Sequence, residues 1–241
     1  MKHFGLIGLP LGHSASADYF GAKFASEEID AEYSLYELAN IAEVEPLRGV
    51  LSGMNVTIPY KKAIIPYLAS ISEEARAIGA VNCVRLDATG AMHGYNTDVE
   101  GIRATLAPYA EQLRGGRALV LGSGGAAAAV VYVLRELEMS YQIVSRDSTR
   151  GDITYEAVDA ALVSSIALIV NTTPIGMYPA VEQCPDICYE ALTAQQLLFD
   201  VIYNPRQTEF LKRGLAAGAQ VVGGYEMFCR QAEASWRIWN D

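Results

Sequence analysis

An apolar run that breaks into glycines and resumes as an alanine-rich helix constrains this chain more than any other stretch. Arg117-Ala-Leu-Val-Leu121 reads as a buried strand, and Gly122-Ser-Gly-Gly-Ala-Ala127 leads into a helix extending to about Glu138. Gly122-x-Gly124-x-x-Ala127 fits the dinucleotide fingerprint with alanine in its third position. Gly122 permits the tight turn, Gly124 lets backbone approach a pyrophosphate, and Ala127 allows helix and strand to pack closely. Ser123, Gly125 and Ala126 supply the remaining loop and the first helical turn. Their N–H groups lie at the positive end of the helix dipole, where phosphate binds. Strands follow at Tyr141–Ser145, Leu168–Asn171, Leu197–Val201 and Gln220–Val222, with helices expected at Tyr155–Leu162 and Glu209–Ala217. This alternation requires a parallel sheet with right-handed crossovers.

The N-terminal half reads as αβαβα closed by a hairpin. Strands are expected at Phe4–Gly8, Tyr33–Leu38 and from Asn55, with helices after Ser14 or Ser16, around Val44–Leu51, and from Lys61 to Ala77. Ala80–Asp87 and Ala91–Tyr95 form the hairpin. Asn96-Thr97-Asp98 then reads as a helix start, with Thr97 or Asp98 as cap. The fold expected is α/β in two domains with a cleft between them. An N-terminal αβα substrate domain spans 1–98, and a Rossmann-like dinucleotide-binding domain spans 99–225. Residues 226–241 return to the first domain as an amphipathic helix carrying both tryptophans.

A formal charge of −10 argues against nucleic acid or an anionic membrane as partner. No apolar run is long enough to span a bilayer. The N-terminus enters a strand directly and shows no signal-peptide core, so a cytoplasmic location is expected. The four cysteines lack zinc spacing, so no metal is expected and free thiols are the simplest account.

Chemistry concentrates near Asn55-Val-Thr-Ile-Pro-Tyr-Lys61. Pro59 has no N–H to donate and should end the strand, leaving Lys61 at a strand-to-helix corner where α/β sheets bind ligands. Thr57 and Lys61 are expected on the cleft side, with Val56 and Ile58 in the core. Taken locally, Lys61 reads more readily as a solvated surface lysine in a strand-to-helix corner. Asp98, at a second such corner, is its candidate partner, since a carboxylate suits a lysine acting in acid–base chemistry. Asn55, Asn82 and Asn96, with Ser14, Ser16 and Thr57, suit a small polyhydroxylated ligand. His13 and His93 have no evident triad partner. After the second strand of the nucleotide fold come Arg146 and Arg150, able to clamp a 2′-phosphate, with Asp147 between them as a complication.

Together these segments resemble the shikimate dehydrogenase family. Gly12-His-Ser-Ala-Ser16 is similar to its serine-x-serine loop for the shikimate carboxylate, and Asn55–Lys61 to its lysine-bearing strand. Gly79-Ala-Val-Asn82 and Asn96-Thr-Asp98 match its GAVN and NTD motifs, and Gly122–Ala126 its NADP loop. Asn171-Thr172-Thr-Pro-Ile-Gly-Met and Asp200-Val-Ile-Tyr203-Asn-Pro resemble segments lining the nicotinamide side. Gly224, Met227 and Gln231 resemble the returning helix, whose glutamine touches substrate. The resemblance implies reversible reduction of 3-dehydroshikimate to shikimate with NADPH, a step toward chorismate and the aromatic amino acids. It makes Lys61 and Asp98 catalytic. Ser14, Ser16, Asn55, Thr57, Asn82, Tyr203 and Gln231 would bind substrate. Gly122–Ala126, Arg146, Arg150, Thr172 and Gly224 would bind cofactor.

Four departures stand out. Ala15 replaces the lysine of Ser-Lys-Ser, Cys83 follows GAVN where threonine is common, and Ser145 and Asp147 alter the Asn-Arg-Thr clamp. The chain also ends at Asp241, where many relatives continue into a final helix. The altered clamp leaves NAD open beside NADP. A quinate or dual quinate/shikimate dehydrogenase, a non-catalytic dinucleotide-binding regulator and a methylene-folate-type dehydrogenase are the alternatives. A monomer or homodimer is expected.

Overall fold

The computed structural model describes residues 1–12 and 14–241. The chain divides into two compact units, Met1–Thr97 with Ala232–Asp241, and Asp98–Gln231.

In the first unit the order is β1 (Lys2–Gly8), α1 (Ser16–Ser26), β2 (Ala31–Glu37), a 3-10 helix (Ile41–Gly49), β3 (Gly53–Val56), a 3-10 turn (Ile65–Tyr67), β4 (Ser70–Ile71), α2 (Glu73–Ile78), β5 (Cys83–Leu86) and β6 (Met92–Tyr95). The sheet runs β2-β1-β3-β5-β6-β4. β1 pairs in parallel with β2 and β3, and β5 is antiparallel to β3 and β6. The continuous helix expected over Lys61–Ala77 is instead a turn, a 3-10 segment, a two-residue strand and the short α2. Pro66 in the 3-10 turn and the Ser72 cap, which accepts from Ala75 N–H, partition the stretch. The segment around Val44 and Leu47 is likewise 3-10, with Pro46 inside it. Gly79 ends α2 in the left-handed region at φ 71°, which accounts for the glycine opening Gly79-Ala-Val-Asn82.

The second unit continues with α3 (Asp98–Leu106), α4 (Ala110–Leu113), β7 (Arg117–Leu121), α5 (Gly125–Glu136), β8 (Ser140–Val144), α6 (Ala160–Ser164), β9 (Leu168–Asn171), β10 (Leu197–Asp200), α7 (Glu209–Ala216), β11 (Gln220–Val222) and the start of α8 (Tyr225–Asn240). Its sheet is wholly parallel in the order β11-β10-β9-β7-β8. The strand order therefore reverses between β7 and β9, which makes their carboxyl ends the switch point. The helix expected over Tyr155–Leu162 splits into a 3-10 turn and α6, because Asp159 caps a new helix by accepting from Leu162 N–H.

The last residues complete the first unit's core. Trp239 stacks on Phe4 at 4.8 Å, and Trp236 meets Phe4 and Phe24 edge-on or tilted. The Trp239 indole N–H donates to Val84 O at 3.0 Å. A Cβ on Gly53 would overlap that indole. Gly53→Ala should therefore destabilise the protein by about 1–3 kcal/mol through overpacking. An unchanged urea midpoint would show that the indole yields freely.

Candidate functional site

In the first unit the chemistry-bearing loops leave the carboxyl ends of β1 and β3. After β1, Leu11 N–H donates to Glu37 Oε1 at 2.6 Å and Ser14 N–H to Leu11 O at 2.9 Å. Ser14 Oγ accepts from Ser16 N–H at 3.2 Å. Neither serine caps α1: Ala15 occupies the cap position and Ser16 is already helical. Ser14 is half-buried and Ser16 buried. His13 lies outside the described residues. His93 sits on the hairpin between Ser70 Oγ (2.8 Å) and Asp87 Oδ2 (2.9 Å), a local structural role.

β3 ends at Val56. Thr57 N–H still donates to Ile7 O, but Tyr60 N–H turns back onto Thr57 O at 2.8 Å. Val56 is buried, but Ile58, expected in the core, lies past the end of β3 and is 65% exposed. Thr57 and Lys61 are half-buried. The carbonyl of Lys61 accepts from Val81 N–H at 2.8 Å, and Val56 N–H donates to Asn82 O at 2.8 Å. The lysine turn and the asparagine loop are thereby clipped together.

Beneath them runs a buried polar network. Asn55 Nδ2 donates to Asn82 O (3.2 Å) and Ser235 Oγ (2.8 Å), and its Oδ1 accepts from the Tyr33 hydroxyl (2.9 Å). Asn82 Oδ1 accepts from both the N–H (2.7 Å) and the hydroxyl (3.2 Å) of Thr97, whose Oγ1 also meets Ser235 Oγ at 3.1 Å. Both amide protons of Asn55 are occupied within the unit, so it supports Asn82. Asn96 Nδ2 donates to Ala80 O. Tyr33, Thr97 and Ser235 did not emerge as site residues from sequence patterns. The available signal for Ser235 was a polar residue on the buried face of α8, between Ala232 and Trp239. Cys83 is fully buried among aromatic side chains, and burial pushes its thiol up to about 12, so it is a core residue.

In the second unit Asp98 opens α3 and is buried. At the switch point Gly122 has φ 104°, and a Cβ there would lie 2.8 Å from Thr172 Oγ1. That hydroxyl donates to Leu121 O at 2.7 Å, joining the loops after β7 and β9. No side chain caps α5, and a Cβ on Gly124 would meet nothing within 4 Å. Ser123, Gly125 and Ala126 are half-buried around this amino end. The open cradle and free helix N–H groups fit a dinucleotide pyrophosphate. Arg146 and Arg150 are exposed on the turn after β8. Tyr203 is half-buried with its ring 4.5 Å from Phe228. Gly224 N–H donates to Ile202 O, and a Cβ there would overlap Val201 O, so this glycine holds the 201–204 segment closely. Gln231, half-buried on α8, closes the unit's span.

Asp200 organises the same end of the sheet. Its Oδ1 accepts from Asn171 Nδ2 (3.1 Å) and Ile202 N–H (3.0 Å), and its Oδ2 from the Thr208 hydroxyl (2.6 Å). Asn171 Oδ1 in turn accepts from the N–H and hydroxyl of Thr173. The loops 172–176 and 201–208 are thus tied to one buried carboxylate. Among the described residues, no helix is long and apolar enough to cross a membrane.

A profile of the shikimate dehydrogenase substrate binding domain matches residues 6–84. The shikimate dehydrogenase (NADP(+)) of Clostridium beijerinckii is 37% identical over all of this chain and 93% of its own length. The solved chorismate mutase/shikimate 5-dehydrogenase fusion protein of Clostridium acetobutylicum superposes with a TM-score of 0.87 at 34% identity, over 100% of this chain and 92% of that one. Shikimate 5-dehydrogenase of Thermus thermophilus, solved in complex with NADP(H) and shikimate, gives 0.87 at 29% identity, over 99% and 93%.

Burial pushes the Asp200 carboxyl up to about 6, against the hydrogen bonds from Thr208, Ile202 and Asn171 that favour the carboxylate. The folded state then binds more protons than the unfolded state between about pH 4 and 6, so this group's contribution falls as pH rises through that window. The effect reaches at most about 3 kcal/mol. Asp200→Asn keeps an acceptor for Ile202 and Asn171 and removes the charge. Its stability relative to the parent should therefore rise between pH 4 and 7 in urea titrations. A pH-independent difference would contradict a raised Asp200 value.

Proposed function

The chain belongs to the shikimate dehydrogenase family, and from that premise we propose that it reversibly reduces 3-dehydroshikimate to shikimate using NADPH. The first unit bears the lysine, serines and asparagines for the substrate, and the second bears the cofactor loop together with Asp98, Tyr203 and Gln231. The observation carrying this assignment is the clip from Val81 N–H to Lys61 O, which brings the lysine turn and the asparagine loop to one end of one sheet.

Bound NADPH supplies the hydride. As the substrate carbonyl is reduced, negative charge develops on its oxygen. Lys61, as an ammonium, stabilises that oxygen and delivers a proton to it. Asp98 orients the lysine and accepts from a ring hydroxyl. Asn82 binds the ring, its side-chain oxygen held by the N–H and hydroxyl of Thr97. Ser14, Ser16, Thr57, Tyr203 and Gln231 position the carboxylate and remaining hydroxyls, and Asn55 holds Asn82 in place. The amino end of α5 and the Gly122–Ala126 loop hold the pyrophosphate, with Thr172 and Gly224 shaping the neighbouring loops. Arg146 and Arg150 take the 2′-phosphate. Fixing both reactants in register is worth on the order of 7 kcal/mol or more when alignment is good.

Absorbance assays of shikimate oxidation with NADP and NAD, and of quinate alongside, test the assignment. Turnover should be fastest with shikimate and NADP, and no turnover of shikimate would overturn it. Lys61→Ala should lower kcat by at least about a hundredfold while KM for shikimate changes far less. A change confined to KM would remove the lysine from proton transfer. Arg150→Ala should weaken NADPH and leave NADH nearly unaffected, since only the former carries the 2′-phosphate. Equal losses would refute the clamp.

A further inference from the structure

An acid beyond the second strand of a dinucleotide fold ordinarily takes the ribose 2′-hydroxyl and selects NAD. Asp147 stands in that region, between two arginines. Its hydrogen bonds point elsewhere. Oδ1 accepts from Thr149 N–H at 2.9 Å and from the Thr149 hydroxyl at 2.6 Å. The Asp147 N–H donates to Ser145 Oγ at 3.2 Å, and its carbonyl accepts from Arg150 N–H at 3.0 Å. Four hydrogen bonds of the turn therefore pass through one residue.

The turn is also anchored from below. Ser145 N–H donates to Ile153 O, and Asp152 N–H to Ile143 O at 2.8 Å. Asp152 Oδ2 accepts from Ile143 N–H at 2.7 Å. A Cβ on Gly151 would lie 2.8 Å from Ser145 Cβ and 2.9 Å from Ile143 O, so only glycine lets the chain double back this tightly. Arg146 and Arg150 thus project from a clasp fixed to β8. The Thr149 hydroxyl and N–H, aided by Arg150, hold the Asp147 carboxyl below its ordinary range. An anion so engaged closes its own loop. Residues 145–150 carry two arginines and one aspartate, so the turn keeps a net positive charge.

We propose that Asp147 is a positioning residue: its carboxylate closes the 145–150 turn from within and presents Arg150 to the cofactor's 2′-phosphate, and it does not bind the ribose. The proposal rests on the NADP assignment above. It differs from an incidental surface turn in making cofactor choice depend on the hydrogen-bonding capacity of this side chain rather than on its charge.

The test compares Asp147→Asn and Asp147→Ala in the full chain, titrating NADPH and NADH by nucleotide fluorescence without substrate. Binding is read apart from turnover, so a failure here is distinct from a failure to oxidise shikimate, which the unmodified chain reports separately. Asparagine keeps the acceptor for Thr149 and removes the charge, so Asp147→Asn should bind NADPH at least as tightly as the parent. Asp147→Ala opens the turn and should weaken NADPH about tenfold relative to Asp147→Asn. NADH should be unchanged in both. Loss of NADH affinity in both variants would identify a ribose acceptor and overturn the proposal. Equal NADPH affinity in the two variants would overturn it as well. Melting temperatures check that each variant is folded, and Asp147→Asn carries the ribose test if Asp147→Ala is not.

Discussion

The indole of Trp239 lying over Gly53 is the contact on which the first unit depends. It brings the last turns of α8 onto a sheet whose own residues come from the opening stretch of the chain. Phe4, Phe20 and Phe24 then gain Trp236 and Trp239 as neighbours. The same docking carries Ser235 to Asn55 and Thr97. Without Ser235 the amide of Asn55 loses an acceptor in a buried setting, where an unmade hydrogen bond costs about 1–3 kcal/mol. Apolar packing and polar satisfaction therefore come from one helix face, and both support the loop bearing Asn82.

The second unit solves a related problem with a charge. Parallel strands deliver several loops to one end of the sheet, and those loops have polar backbones to satisfy. Asp200 accepts from three donors there and Asn171 relays the order onward to Thr173. Burying a carboxylate is unfavourable, and its raised pKa reflects that cost. The return is loop order beside the glycine cradle. The arginine turn uses the same device at the surface, where Asp147 is an acceptor inside its own loop.

Much of the fold was legible because it follows local rules. Gly122, Gly124 and Ala127 have one economical use after a buried strand, and β9, β10, α7 and β11 are strongly patterned. The Lys61–Ala77 stretch misled because proline and a serine cap outweighed apolar spacing. Ile58 misled because the burial pattern of β3 was extended two residues past the strand's end at Val56. Nothing in local pattern distinguishes Asp147 as a ribose acceptor from Asp147 as a turn acceptor, since both need the same side chain.

By itself the sequence determined the αβ alternation, the glycine cradle, the family and the residue types able to do the chemistry. These rest on short-range geometry and on motifs whose spacing is contained in the chain. Only the tertiary structure decided which polar groups are already occupied. It turned Asn55 inward to Tyr33, Asn82 and Ser235, oriented Asn82 through Thr97, and gave Asp200 and Asp147 their donors. A hydrogen bond depends on atoms brought within about 3 Å, and residues far apart in the chain reach that distance only when the fold closes.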